Sequence, residues 1–286
     1  MSEQDHNPMA KSGVSRRNLL TVAAIAPALA TLGATVASAQ PVPPGGRVAL
    51  VTGSSRGIGA ATAKRLARDG YAVVVNCRVN RDLAAAVVAE IEAEGGRAIW
   101  EQADVAEAAE VARLFGAAES AFGGVDVVVS NAGVMPLASF ADMSDEAFDH
   151  VMAVNVKGSF NVLREAARRV RDHGRIIALS SSITQLRSPT YGPYAASKAA
   201  QDIFVNVLAK ELAGRMISVN ALAPGLVNTT LFTDGKTPEQ IAGFVQRTPH
   251  GRLAEPGDIA DVIAGLCAED GWWVSGQTIF ANGGIV

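Results

Sequence analysis

Cysteine is scarce in this chain: Cys77 and Cys267 are the only two in 286 residues, and no C-x-x-C spacing occurs. A disulfide framework and a thiolate metal cluster are therefore excluded. The four histidines, His6, His150, His173 and His250, are scattered, with no carboxylate at ligand spacing, so no metal site is expected. An excess of charge of one sign is missing too. The formal net charge is −3 and the isoelectric point is near 5.8, and no block of Lys or Arg interrupts the body of the chain. That removes the electrostatic footprint of a nucleic-acid binder. Aromatic residues make up 5% of the chain and tyrosine occurs three times, so a tyrosine in a marked setting is informative. What is abundant is apolar: 49% of residues are hydrophobic, enough to fill a sizeable core in one large α/β domain or two small ones.

The first 46 residues differ from the rest. SRRNLL at 15–20 precedes an apolar, small-residue stretch at 21–39, and ASA at 37–39 stands before Gln40. Twin arginine, apolar region and A-x-A site in that order match a secretory signal of the twin-arginine type. Residues 1–39 are thus expected to be a signal peptide, and the mature chain to be periplasmic with no stable membrane insertion after cleavage. Two readings compete. Residues 19–39 are long enough to span a bilayer as an uncleaved anchor, giving a membrane-tethered protein, and a misplaced start codon would leave the protein cytoplasmic. The second is hard to sustain, because after Met9 the next methionine is Met135, inside the body. QPVPPGG at 40–46 reads as a linker, leaving 47–286 as the folded domain.

From Arg47 onward short apolar runs alternate with longer amphipathic ones. Strands are expected at 47–53, 72–77, 97–104, 125–133, 174–182, 217–225 and 277–284, and helices lie between them, as at 60–69, 81–94 and 107–122. Near-continuous Val, Ile and Leu in the strands implies burial on both faces, and the alternation implies right-handed crossovers. The expected fold class is α/β: a single-domain doubly wound parallel sheet of about seven strands with helices on both faces. In the usual strand order Cys77 and Cys267 lie toward opposite edges of such a sheet and form no disulfide with each other.

The turn after the first strand reads VTGSSRGIG. Glycine permits positive φ and lets backbone amides approach a pyrophosphate, which a helix N-terminus then favours electrostatically. Gly53, Gly57 and Gly59 are spaced G-x-x-x-G-x-G, at the turn where doubly wound sheets bind dinucleotides. Further on, YAASK at 194–198 sets Tyr194 and Lys198 one helical turn apart on a shared face. A surface helix opening after Pro193 is the plain reading of those five residues. The chemical reading is a phenol, ordinarily titrating at about 10, whose acidity a nearby ammonium lowers.

With that glycine spacing, residues 47–286 resemble the short-chain dehydrogenase/reductase family. The likeness is carried by TGSSRGIG at 52, ADV at 103, NAG at 131, VNVKG at 154, SSS at 180, YAASK at 194, NALAPG at 220 and the tail from GRLAEPGDIA to NGG. The chain is most similar to the branch containing 3-oxoacyl-carrier-protein reductases and glucose dehydrogenase-like enzymes. The resemblance implies a Rossmann-type fold, a homotetramer, and interconversion of a small carbonyl compound and its secondary alcohol with NAD(P). It implies Tyr194 as the acid/base and Lys198 as the residue that lowers its pKa and binds the nicotinamide ribose. Ser181, 13 residues before the tyrosine, would polarise the carbonyl, with Ser180 as strand structure and Ser182 as pocket lining. Asn155 would hold a water in the proton relay; otherwise a mid-helix Asn has no local reason to be there. Tyr191 does not fit the pattern, since Ala195 stands four residues on.

The other matches are to the cofactor. The glycine turn, with Ser55, Arg56 and Ile58, would hold the pyrophosphate. Asp104 and Val105 would meet the adenine, and Asn131, Ala132 and Gly133 would line the nucleotide cleft, although Ser130 stands where the family usually has Asn. Pro224, Gly225, Val227 and Thr229 would receive the nicotinamide. VVVNCRVN carries Asn76, Cys77 and Arg78 and no carboxylate where NAD users commonly have one, and Arg56 adds positive charge in the glycine turn. NADP(H) is therefore favoured over NAD(H), by Arg recognition of the 2′-phosphate. The short segment 226–250 offers Leu231, Phe232 and Phe244 as apolar contacts to a compact substrate. A nucleotide-binding redox sensor without turnover is the alternative from another class; it has no need of Asn155, Ser181, Tyr194 and Lys198 together.

Overall fold

Strand interiors with no exposed side chain, such as Val48, Ala49, Leu50 and Val51 at 0%, require a layer on each side of the sheet. The computed structural model describes residues 46–286, and the expected signal segment and the linker up to residue 45 lie outside the described residues. In chain order the elements are β1 (Val48–Val51), α1 (Gly57–Arg68), β2 (Ala72–Cys77), α2 (Arg81–Ala93), β3 (Arg97–Gln102), α3 (Ala108–Phe122) and β4 (Val125–Ser130). Then come α4 (Asp145–Val151), a π-helical segment (Met152–Gly158), α5 (Ser159–Arg169), β5 (Val170–Leu179), α6 (Ile183–Leu186) and α7 (Gly192–Glu211). The chain closes with β6 (Ser218–Pro224), α8 (Thr230–Thr233), α9 (Pro238–Gln246), α10 (Pro256–Cys267) and β7 (Thr278–Ala281).

The strands form one seven-stranded sheet in the order β3-β2-β1-β4-β5-β6-β7, parallel throughout. Side chains alternate along each strand. Val73, Val75, Val127, Val129 and Ile177 pack with Leu66, Ile259 and Ile263 of α1 and α10 on one face. Val74, Val128, Ile176 and Val219 pack with Leu114, Phe115, Val162 and Val205 of α3, α5 and α7 on the other. This is the expected doubly wound, single-domain α/β sheet. Its order reverses between β1 and β4, so a crevice opens beyond their carboxyl ends.

Two expectations need correction. Asn155 is not in an ordinary helix interior but in the π-helical segment, a local widening that gives a polar residue its place. The cysteines are both free and buried, yet they are not divided between sheet edges: α10 packs against α1, and both belong to the same apolar layer. They are separated along the strand direction instead. Tyr71 Oη, six residues before Cys77, donates to Cys267 O at 3.1 Å, and six strand residues span roughly 20 Å.

Candidate active site

A cavity of about 260 Å³ opens over the glycine turn and is bordered by Gly53, Ser55, Arg56, Gly57, Ile58 and Gly59, with Arg78, Asp104, Val105, Asn131, Ala132 and Gly133 around it. Gly53 and Gly57 have φ of 60° and 57°, which suits glycine. Gly59 is required by crowding, since a Cβ there would lie 2.5 Å from Gly53 O and 2.6 Å from Asn131 Nδ2. The N-cap of α1 is Arg56, with no side-chain cap and no acid in the first turn. A turn shaped by close backbone approach, opening an uncapped helix N-terminus, fits a dinucleotide pyrophosphate.

Thr52, to which no role was given, holds this turn in shape together with Asn131 and Asn76. Thr52 Oγ1 accepts from the amides of Asn131 at 3.0 Å and Ala132 at 3.1 Å. Asn131 Nδ2 donates back to Thr52 O and Gly53 O. Asn76 Oδ1 accepts from Gly53 N at 3.0 Å and its Nδ2 donates to Ala103 O at 3.1 Å. Asn76, 1% exposed, is thus a strut between strands. Arg78 is exposed and lies 3.6 Å from Asp104, the one carboxylate on that cavity wall. His150 of α4 also borders it, with no sequence signal to mark it.

The larger cavity, about 1110 Å³, is bordered by Ser181, Tyr194, Lys198, Pro224, Gly225, Val227 and Thr229, together with Leu231, Phe232 and Phe244. All these predicted residues meet at one place although 63 positions separate Ser181 from Phe244. The volume is ample for more than a compact substrate. The three serines are told apart by how β5 ends. Ser180 N and Ser182 N bond to Leu222 O and Pro224 O, continuing the pairing with β6. Ser180 Oγ donates to Lys198 O at 3.3 Å and Ser182 Oγ to Ala223 O at 3.2 Å. Ser181 alternates away from both and bonds Tyr194.

Pro193 opens α7 at its first turn, which puts Tyr194 and Lys198 on one inward face, 8% and 5% exposed. Lys198 Nζ donates to Leu179 O at 2.5 Å and lies 5.8 Å from the Tyr194 ring centroid. Asn155 stands behind the wall. Its Oδ1 accepts from Val134 N at 2.9 Å, its Nδ2 donates to Val134 O and to Ser197 Oγ, and Gly133 separates it from Lys198 Nζ.

Burial pushes the Tyr194 phenol up to about 12, and the hydrogen bond with Ser181 pulls against that rise. This corrects the expected depression by the lysine: the ammonium is turned to the Leu179 carbonyl, and desolvation outweighs it. Burial also brings Lys198 down to about 8, opposed by Asp202. Asp202, four residues on, is itself pushed up by burial, with the charge of Lys198 pulling the other way. It was missed because an i+4 carboxylate after a lysine reads as a surface pair. Tyr191 was set aside on spacing, yet it borders the cavity and meets Tyr194 edge-on at 6.3 Å.

A family description, Enoyl-(Acyl carrier protein) reductase, matches residues 53–286. The chain is 44% identical over 263 residues to a protein of Arabidopsis thaliana called NADPH-dependent aldehyde reductase-like protein, chloroplastic, covering 87% of this chain and 97% of that one. It is 43% identical over 252 residues to the Short-chain type dehydrogenase/reductase of Picea abies, covering 85% and 93%. Among solved structures, a short chain dehydrogenase from Burkholderia cenocepacia in complex with NADP matches with a TM-score of 0.79 at 36% identity, over 84% of this chain and 97% of that one.

Proposed function

This chain belongs to the short-chain dehydrogenase/reductase family, and from that premise we propose that it is an NADP(H)-dependent reductase interconverting a carbonyl compound and its secondary alcohol. The observation that carries the reading is the convergence of Ser181, Tyr194 and Lys198 on one cavity beside the glycine turn. When bound, the nicotinamide supplies the hydride and, once oxidised, a positive charge that favours a phenolate. Tyr194 Oη gives its proton to the carbonyl oxygen, and Ser181 Oγ, already bonded to Tyr194, donates a second hydrogen bond that polarises the same oxygen. Lys198, near 8, carries a proton at neutral pH and can return it to the phenol, with Asn155 holding the relay water and Lys198 also anchoring the ribose. Arg56 and Arg78 would receive the 2′-phosphate; Arg78 then exchanges its contact with Asp104 for a phosphate. The NADPH and NADP in the names of the plant relative and the bacterial structure support that preference.

The test is turnover of a panel of ketones and aldehydes with NADPH and with NADH, in the parent chain and in Tyr194→Phe, alongside fluorescence titration of both nucleotides. Loss of about 10³-fold in rate with NADPH binding retained is expected. Turnover unchanged in Tyr194→Phe overturns the assigned chemistry, and binding without turnover in the parent chain favours the redox-sensor reading. Equal affinity for NADH overturns the phosphate assignment alone.

Exposed Phe160, Ile203 and Val207 on α5 and α7 support a homotetramer, for which light scattering is the measurement. SRRNLL and ASA support export to the periplasm through the twin-arginine route; a native protein beginning at Gln40 by mass spectrometry agrees with it, and one retaining the twin arginine overturns cleavage.

A further inference from the structure

The wall of the larger cavity has a charge balance opposite to that of the chain. It carries three cations, Lys198, Lys236 and Arg247, and one carboxylate, Asp234, in a protein of formal net charge −3. Lys198 is turned to Leu179 O. Lys236 is also engaged: its Nζ donates to Phe232 O, rests 4.5 Å from the Phe232 ring centroid and feels the charge of Asp234. Arg247 is held in another way. Its guanidinium lies 4.7 Å from the Phe244 ring centroid, and among the described residues it forms no ion pair with a carboxylate. A guanidinium over a ring and without a carboxylate partner has N–H donors to offer a planar, bidentate acceptor.

The neighbours of Arg247 give this fork a place relative to the chemistry. Phe244 meets Phe232 edge-on at 5.2 Å. The charge of Arg247 is felt at the Tyr191 hydroxyl, and Tyr191 in turn meets Tyr194 edge-on at 6.3 Å. Tyr194, Tyr191 and Arg247 therefore border one cavity, with the proposed proton donor and, among the described residues, a cation without a carboxylate partner on the same wall. We propose that Arg247 receives a carboxylate on the substrate, so that the site takes carbonyl compounds whose flat apolar body ends in a carboxylate. The inference rests on the carbonyl-reductase reading and names the substrate class of that same site.

The experiment compares initial rates with NADPH for para-formylbenzoate and for its methyl ester, which has the same carbonyl and ring without the charge. It uses the full chain and the variants Arg247→Met and Arg247→Lys; Arg247 is exposed at the end of α9, so neither change disturbs the core. The acid is expected to exceed the ester about fivefold to tenfold in kcat/KM, through KM, the range an exposed but bidentate pair allows. Arg247→Met should abolish that advantage and Arg247→Lys keep part of it. Equal kcat/KM for acid and ester in the parent chain, or an advantage that survives Arg247→Met, overturns the assignment and leaves carbonyl reduction standing. Calorimetric binding of para-toluate, which has no carbonyl to reduce, separates the two readings. Weaker binding in Arg247→Met supports the anion site even where neither aldehyde is turned over, and unchanged binding overturns it.

Discussion

Around the glycine turn the chain is tied by hydrogen bonds that cross strands, whereas over the substrate side of the cleft it is held by two phenylalanine rings. Thr52, Asn76 and Asn131 join β1, β2 and β4 through side chain to backbone bonds of 2.8–3.1 Å. The cover made by α8 and α9 has no such net. Phe232 is the one buried residue of α8 and α9 has none; what holds them is the Phe232–Phe244 contact together with bonds local to the segment, Lys236 Nζ to Phe232 O and the Thr237–Gln240 capping box at the start of α9. Directional bonds to backbone define one shape, and ring contacts tolerate several. A dinucleotide is a constant ligand and suits the first kind of wall. A substrate that differs from one family member to the next suits the second.

Gly59→Ala strikes the tied half hardest. The added Cβ meets Gly53 O at 2.5 Å, Asn131 Nδ2 at 2.6 Å and Ser54 Cα at 2.8 Å, and atoms so tied cannot yield separately. Loss of nucleotide binding by more than about 100-fold is expected, with about 1–3 kcal/mol of stability. Titration and a denaturant melt measure the two, and normal affinity would show the turn to be as adaptable as the cover.

The next effect lies on the boundary between the halves. Lys198 falls from 10.5 to about 8 on folding, so below pH 10.5 the unfolded chain holds the proton more tightly. Such a depressed group favours the folded state fully only above its unfolded pKa, and that contribution is lost as pH falls toward 8. Measured against Lys198→Met, the parent chain should gain about 1 kcal/mol per pH unit between pH 8 and 10. The difference between the two proteins matters here, because burial raises the Cys267 thiol and the Tyr71 phenol to about 12, and both subtract stability as pH rises. A flat difference would mean that Lys198 keeps a wetter surrounding than its 5% exposure indicates.

Phe244→Ala should have the smallest effect on the fold and a selective one on function. KM for the substrate is expected to rise about threefold to tenfold while nucleotide affinity holds and stability falls by about 0.5–1.5 kcal/mol, the worth of one aromatic pair. An equal fall in nucleotide affinity would erase the contrast between the two walls.

The sheet was legible because its inner strands β1, β2 and β4 are almost wholly buried and read as near-continuous Val, Leu and Ala between polar turns. The ends were less so. Expected strands at 125–133 and 174–182 stop at Ser130 and Leu179, where the chain leaves the sheet to form the cleft while Ser180 and Ser182 still bond to β6. β5 also starts early. Val170 pairs with Val125 before the register shifts to Arg175 opposite Val127. Gly174, where a Cβ would lie 2.3 Å from Val170 Cγ1, and His173 at φ 65° make that shift possible. In sequence Gly174 was the expected first residue of that strand, and 170–173 had no assignment.

Among the site residues, local spacing sufficed for Gly53, Gly57 and Gly59 and for Tyr194 with Lys198, because a turn and one helical repeat lie within a few residues of chain. The choice of Ser181 among three serines needed the β5–β6 pairing that turns its neighbours away. Tyr191 and Arg247 carried no signal, since what matters about them is a place on the wall of one cavity, reached from 56 positions apart. By itself the sequence determined the alternation of strand and helix, the glycine turn and the tyrosine–lysine pair, each the product of short-range sterics and periodicity. The tertiary structure alone decided the protonation balance at the site, since desolvation depends on everything packed around Tyr194 and Lys198. It also decided which cation at the cavity wall has no ion-pair partner among the described residues, since that depends on which carboxylates the fold brings near or keeps away.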